Sequence, residues 1–334
     1  MLLAAGRSSR LGAIGQILPK PLLPICGYPA ISFGIAACAR VGLREIVINL
    51  FHHGDQIREA LGDGSAWGVR LQYSPEDDLL GTAGGIAQAD SLLGAGAVLV
   101  MNAKVVADVD LMRLIHRHQQ TDADATLLLR DDPRAAEWGP IGTADDGSVV
   151  SILGVEAPAA ASNALARPPV RMFTGVQVIS SQMRARMRSV FSDSVRDAYI
   201  PALREGRLIQ SDRLAGYFAE HSTPERYLAG NWALLRNPDL LPFPPGPLVG
   251  VDPAARVHEG ASIVGPVRVA PGATIENGAI VGPDVVVGGG GVVAQGARLT
   301  RVVVWPGGHA RGDLQDAIVT REGTVTVTPG QTTF

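Results

Sequence analysis

Cysteine is nearly absent from this chain. Cys26 and Cys38 are the only two in 334 residues, and their spacing matches neither a disulfide framework nor a metal-binding pattern. Their expected state is that of buried free thiols in a reducing cytoplasm. Charge is sparse as well. Only 18% of residues are charged and the net charge is −3, so no broad basic field recruits nucleic acid or an anionic membrane. No apolar run reaches the roughly 20 residues that a spanning helix requires. Residues 1–5 are too short for the apolar core of a signal peptide, and Arg7 interrupts them. A cytoplasmic, soluble protein is expected.

What is abundant is hydrophobic residue, at 46%, ample for two domains. Near the C-terminus, aliphatics recur at strict six-residue spacing: Val251, Val257, Ile263, Val269, Ile275, Val281, Val287, Val293 and Leu299. Six is neither the helical period nor plain strand alternation. It is the mark of a left-handed parallel β-helix, in which each flat side of a triangular coil takes one hexapeptide. The residue two before is small or β-branched, as at Ala255, Ala261, Val267 and Ala273, and Gly260, Gly272, Gly278, Gly290 and Gly296 fall three before, where a corner needs a permissive backbone. A Gly/Val-rich disordered tail would not keep this phase. All nine aliphatics are expected to point inward, and the flat sides to serve as an oligomer contact.

The first 235 or so residues alternate short aliphatic runs (2–5, 45–50, 69–73, 97–101, 125–129) with amphipathic helical stretches (29–41, 54–61, 82–93, 108–120). Pro29 suits a first helical turn. This alternation predicts a mostly parallel α/β sheet, Rossmann-like in class. Beyond 130 the pattern is irregular, with strand-like 149–153 and 176–179 and an Ala/Pro-rich loop over 157–169. A helix over 224–236 closes the domain. Residues 237–247 carry Pro238, Pro242, Pro244, Pro245 and Pro247 and read as a stiff linker. The expected organisation is therefore 1–236, a Pro-rich linker at 237–247, and a β-helix domain over 248–334.

The first strand runs into Gly6-Arg7-Ser8-Ser9-Arg10-Leu11-Gly12, followed by Pro19-Lys20-Pro21-Leu22-Leu23-Pro24. Small residues after a parallel strand let backbone N–H groups approach a phosphate, and Arg10 and Lys20 add cations suited to a triphosphate. Together with Leu3-Ala4-Ala5-Gly6, Gly27 and Leu80-Gly81-Thr82-Ala83-Gly84-Gly85-Ile86, this opening resembles the sugar-1-phosphate nucleotidyltransferases, the NDP-sugar pyrophosphorylases that include GDP-mannose pyrophosphorylase. The stretch from Gly216 to Tyr227 is similar to the family's late motif, Trp-x-Asp-x-Gly-Thr-Pro-Glu, and a C-terminal left-handed β-helix is a common appendage of the family.

The resemblance implies attack of a sugar-1-phosphate oxygen on the nucleotide α-phosphorus with loss of pyrophosphate, a reaction driven by positioning and cations. It implies catalytic roles for Arg10 and Lys20. Nucleotide or sugar contacts are implied for Ala4, Ala5, Gly6, Ser8, Gly81, Thr82, Gly84, Gly85, Asn102 and Gly175. In the family two Asp residues usually hold Mg2+. Here Lys104, in Asn102-Ala103-Lys104, and Glu220 stand at those two positions, and the family's Glu-Lys-Pro is met only by Glu156-Ala157-Pro158. A hard divalent cation wants oxygen ligands, and an ammonium repels it. No metal or other cofactor is expected, with Mg2+ required only if the chain is active. A direct Lys104–Glu220 pair is expected in its place.

Other candidates carry less. His116 and His118, two apart on a helix, are expected on a solvated face. His52-His53 reads as a loop, Asp77-Asp78 as solvated, and Asp108 and Asp110 as helix caps. Three functions follow: an active nucleotidyltransferase with an altered metal site; a weakened or silent member that binds a nucleotide, a sugar nucleotide or a paralogous active subunit; and an acyltransferase on the β-helix. For the last, too few coils and the single His258 and His309 speak against it. The second is favoured, as a homo-oligomer without nucleic-acid or membrane partners.

Overall fold

The structure, a computed structural model, describes residues 1–158 and 169–328. The Ala/Pro-rich loop expected over 157–169 and the last residues of the expected β-helix domain lie largely or wholly outside them. The chain packs into two compact units. The first comprises Met1–Arg7, Ala37–Val105 and Val109–Gly216, the second Ser8–Ala36, Val106–Asp108 and the chain from Tyr217 onward.

The first unit is built on a ten-stranded sheet. Its strands are β1 (Leu2–Leu3), β2 (Glu45–Leu50), β3 (Arg70–Pro75), β4 (Val98–Asn102), β5 (Ala125–Arg130), β6 (Pro140–Thr143), β7 (Val149–Ile152), β8 (Val155–Glu156), β9 (Val170–Ile179) and β10 (Ile209–Leu214). The order β3-β2-β1-β4 is all parallel. The chain therefore adds strands on one side of β1, then returns to place β4 on the other side. That reversal is a topological switch point, where open α/β sheets leave a crevice at the carboxyl ends of the strands. β9 then runs antiparallel between β4 and β5. Its first residues pair with β6, which continues into β7 and β8. β10 lies parallel to β5 at the other edge.

These elements follow from burial. Ile46, Val47 and Ile48 are all buried, as the uninterrupted aliphatic run of a central parallel strand requires. The helix Leu111–Thr121 buries Leu111, Leu114 and His118, one face at helical spacing, and Asp110 caps it by accepting from the Arg113 N–H at 3.0 Å. Two expectations change here. His118 is not on a solvated face: its Nδ1 lies 2.9 Å from Thr126 Oγ1 against β5, and burial favours its neutral ring. Asp108 is not the cap, which is Asp110; the Asp108 N–H donates to the Tyr217 carbonyl at 2.9 Å. Pro29 ends the short strand Tyr28–Pro29, and the helix Ala30–Arg40 begins after it.

The second unit centres on the helix Pro224–Arg236, capped by Thr223. Tyr227, Leu228, Leu234 and Leu235 form a buried cluster with Leu11, Ile14, Leu23, Ile25, Val286, Val303 and Trp305. The Tyr227 hydroxyl donates to the Pro24 carbonyl at 2.8 Å and accepts from Trp305 Nε1 at 3.0 Å. Arg236 grips Asp284 bidentately, at 2.9 and 2.6 Å. Cys26 and Cys38 are free and buried, as expected, and burial pushes the Cys26 thiol up to about 12. Leu241, within the Pro-rich stretch, and Leu248, just after it, join the same cluster.

From Gly250 the chain stacks parallel strands, each pairing with the strand three hexapeptides on: Gly250 with Arg268, Arg256 with Thr274, Ser262 with Ile280, Val267 with Val285. This is the arrangement of a parallel β-helix. Val269, Ile275, Val281, Val287, Val293 and Leu299 are fully buried inside it. Val251 and Val257 are not: they are 42% and 39% exposed. They occupy the first coil, and no described coil lies beyond it to cover them.

The Tyr227 hydroxyl satisfies two buried groups at once. Tyr227→Phe should therefore lower unfolding stability by about 1–3 kcal/mol, measured by urea denaturation. A change within error would show that neither hydrogen bond matters to this core.

Candidate active site

β1 ends at the switch point, flanked there by β2 and β4. Leu3 pairs with Asn49 of β2 on one side and Asn102 of β4 on the other. The Ala103 N–H then donates to the Leu3 carbonyl at 3.0 Å. Gly6 and Lys104 thus follow adjacent parallel strands at their carboxyl ends. Ala4 and Ala5 are buried. Among the described residues, no atom lies within 4 Å of where a Cβ on Gly6 would stand, so packing within the protein does not demand glycine there. Lys104 is half-buried in the turn after β4.

A polar brace that sequence reading missed lies behind these residues. The Ala4 N–H donates to Asn49 Oδ1 at 2.8 Å. Asn49 Nδ2 donates to Glu76 Oε1 at 2.7 Å. Glu76 Oε2 accepts the Leu80 N–H at 3.0 Å. One buried chain of hydrogen bonds therefore links the end of β1, the end of β2 and the loop that follows β3. Glu76 is 6% exposed, and burial raises its carboxyl above the usual range, against the opposing pull of the Leu80 and Asn49 donors. The available signals were an Asn inside the aliphatic run 45–50 and a Glu four residues before Leu80.

The loop leads into the helix Gly81–Gln88. Gly81 sits at φ +73°, and a Cβ there would stand 2.5 Å from the Ser192 carbonyl, so glycine is required twice over. A Cβ on Gly85 would come within 2.7 Å of both Asn49 Nδ2 and Glu76 Oε1, and one on Gly84 would collide with the Val190 carbonyl. The glycines therefore let the helix press onto the brace and onto the segment 190–194. That segment is tied down further: the Ser192 N–H donates to the Leu80 carbonyl at 2.9 Å, and the Ala83 N–H to the Ser192 carbonyl at 3.0 Å. Thr82 Oγ1 accepts the Ser194 N–H at 2.7 Å. Thr82, expected to face a ligand, spends its hydroxyl on holding this segment. Asn102 and Gly175 are brought together so closely that a Cβ on Gly175 would collide with Asn102 Nδ2.

The second unit holds the remaining expected residues. Ser8 is buried, and its Oγ accepts the Lys20 N–H at 3.1 Å, which folds the Pro-Lys-Pro stretch back onto the turn that carries Arg10. Lys20 is buried. Arg10 reaches to 3.8 Å from Glu220, with 60% of its side chain exposed. At that distance and exposure the attraction is a weak, water-screened one. Glu220 ends the strand Phe218–Glu220. Asp77 and Asp78 are exposed, as expected, and Glu156 ends β8 on the surface.

An ammonium, Lys104, stands after β4, and a guanidinium, Arg10, faces Glu220. Among the described residues no group of three His, Cys, Asp or Glu side chains is arranged to hold an ion. No described helix is long and apolar enough to cross a membrane.

Comparison with known proteins fits this geometry. The nucleotidyl transferase family signature matches residues 1–186. N-acetylmuramate alpha-1-phosphate uridylyltransferase of Neisseria meningitidis is 50% identical over 111 residues, 33% of this chain and 48% of that protein, so the match spans about half of that relative's length. Mannose-1-phosphate guanylyltransferase of Mycobacterium tuberculosis is 29% identical over 269 residues, covering 79% of this chain and 69% of that protein. The catalytic subunit beta of that activity from Drosophila pseudoobscura pseudoobscura is 25% identical over 79% of this chain and 71% of its own length. Among solved structures, a glucose-1-phosphate thymidylyltransferase of Bacillus anthracis matches with TM-score 0.59 at 20% identity, over 71% of this chain and 94% of that one, which supports the fold.

The raised carboxyl of Glu76 makes a signed prediction. The folded state holds this proton more tightly than the unfolded chain does, so its contribution to stability is present at low pH and is lost as pH rises through the raised value. Glu76→Gln cannot titrate. Wild-type stability relative to Glu76→Gln should therefore fall as pH rises above the ordinary carboxylate range, measured by urea denaturation at several pH values. A wild-type advantage that grows with pH would contradict the burial effect.

Proposed function

The chain belongs to the nucleotidyl transferase family, and from that premise we propose that it binds a nucleoside triphosphate or sugar nucleotide and a sugar phosphate, with turnover weak or lost. The observation that carries the reading is the braced pair of loops at the switch point, Ala4–Gly6 and Leu80–Gly85, which presents backbone donors where the fold places ligands. In this reading the backbone of Ala4, Ala5, Gly6, Gly81, Gly84 and Gly85 approaches the nucleotide. Ser8 orders the turn, Asn102 and Gly175 line the sugar side, and Arg10 and Lys20 neutralise phosphate charge.

The family reaction forms a bond from a sugar-1-phosphate oxygen to the nucleotide α-phosphorus and breaks the bond to the β-phosphate, releasing pyrophosphate. The names of the relatives supply the candidate substrates: mannose-1-phosphate and N-acetylmuramate α-1-phosphate on one side, and UTP and GTP on the other. The family usually uses Mg2+. With Lys104 and Glu220 at the family's two Asp positions, no metal ligation is assigned, and Lys104 supplies a fixed charge without coordination geometry. In this reading the transferase part lies within 1–236, and the described residues of 248–328 form the left-handed β-helix built by hexapeptide repeats. The half-exposed Val251 and Val257 of the first coil support self-association or pairing with a paralogous active subunit. A cytoplasmic site of action completes the proposal.

Pyrophosphate release, measured across both nucleotides and both sugar phosphates with and without Mg2+, tests it. Turnover should be about a thousandfold or more below that of a relative with both Asp residues, the cost of several kcal/mol of transition-state stabilisation. Lys104→Asp with Glu220→Asp should raise Mg2+ affinity. Robust Mg2+-dependent release by the unmodified chain would establish the fully active reading instead.

A further inference from the structure

We infer that Glu76, acting through Asn49 and the Leu80 N–H, is a positioning residue that sets the nucleotide loops of this site, an inference that rests on the nucleotide-binding reading above. Three observations lead to it. The first is placement. Glu76 and Asn49 sit behind the two loops, each joined to one loop by a backbone donor: Ala4 N–H to Asn49 at 2.8 Å and Leu80 N–H to Glu76 at 3.0 Å. The second is the matching of donors to acceptors. Asn49 accepts from Ala4 with its oxygen and donates to Glu76 with its nitrogen, and Glu76 accepts with both oxygens. With every carboxyl group ionised, only an amide at 49 and a carboxylate at 76, or that pair exchanged, satisfies every group. The third is contact: Gly85 has no room for a Cβ beside Asn49 Nδ2 and Glu76 Oε1, so the helix that follows the loop rests directly on the dyad.

The carboxylate of Glu76 is held by hydrogen bonds from an amide and a backbone N–H, both uncharged. A buried carboxylate so held costs stability that an apolar pair would not. Here the arrangement holds two separate backbone segments in fixed relation. Backbone N–H groups that must meet a phosphate or base are useful only when held within a fraction of an ångström of the right place.

The exchange rule supplies the test. In Glu76→Gln the side-chain amide points an N–H at a donor, either Asn49 Nδ2 or the Leu80 N–H. In Asn49→Asp two carboxyl groups face each other, and at alkaline pH, where this variant is measured, both are ionised and repel. In the double variant Asn49→Asp/Glu76→Gln, the new carboxylate at position 49 accepts from Ala4 and from the new amide at position 76. That amide's oxygen accepts from Leu80, so the whole pattern is restored with the charge moved one residue along the chain of bonds. Binding of UTP and GTP to the full chain is measured by calorimetry below the melting temperature of each variant. Each single variant should weaken the bound nucleotide about tenfold, the scale of an unpaired buried group. The double variant should recover affinity to within about twofold of wild type, because no buried donor or acceptor is then left unmatched. Unchanged affinity in the single variants overturns the inference, as does a double variant that stays weak. Should a single variant fail to fold, Gly85→Ala, which crowds the same two side chains, is measured in its place and must show the same loss. A wild-type chain that binds neither nucleotide overturns the nucleotide-binding reading itself, and the inference with it.

Discussion

The hydrogen-bonded pair Asn49–Glu76 is the constraint on which the site depends. A parallel sheet with its strand order reversed at β1 opens a crevice, yet a crevice alone does not hold backbone donors in place. The ends of β1 and β2 and the loop after β3 are separate pieces of chain. Asn49 and Glu76 connect them through three bonds of 2.7–3.0 Å, and Gly85 lets the next helix close on top. The segment 190–194 clamps the same loop from its other side through Leu80, Thr82 and Ala83. The loop is hydrogen-bonded on both flanks.

The cations add a second constraint. Lys20 and Lys104 are the only lysines in the chain; all other permanent side-chain cations are arginines. One lysine follows the Ser8 turn and the other follows β4. An ammonium attracts phosphate charge but cannot ligate a divalent cation. Within the second unit, the β-helix packs against the helix Pro224–Arg236 through Tyr227, Trp305 and the Arg236–Asp284 pair.

Much of this was legible in the residues. The aliphatic runs marked β2, β4 and β5 closely because buried parallel strands are continuous apolar runs. The six-residue phase marked the stacked coils because every corner and every inward position repeats. Its failure at Val251 and Val257 is physical: a repeat predicts what faces inward, whereas burial also needs a neighbouring coil. His118 was misplaced because a two-residue spacing argues against shared ligation but says nothing about which face of the helix meets β5. The Asn49–Glu76 brace stayed hidden for a different reason. Its members lie 27 residues apart, and neither belongs to a motif; only the register of β3 beside β2 brings them together. The packing of residues 217–236 with the β-helix was equally invisible to a reading that divided the chain at its prolines.

The scarcity of lysine offers the most direct measurement. Amine acetylation followed by peptide mass spectrometry reports on Lys104, which is half-buried, and on Lys20, which is more protected. With UTP or GTP at millimolar concentration and no divalent metal, the account predicts that at least one nucleotide sharply slows acetylation of Lys104. An acetylation rate at Lys104 that is the same with either nucleotide as without would contradict it.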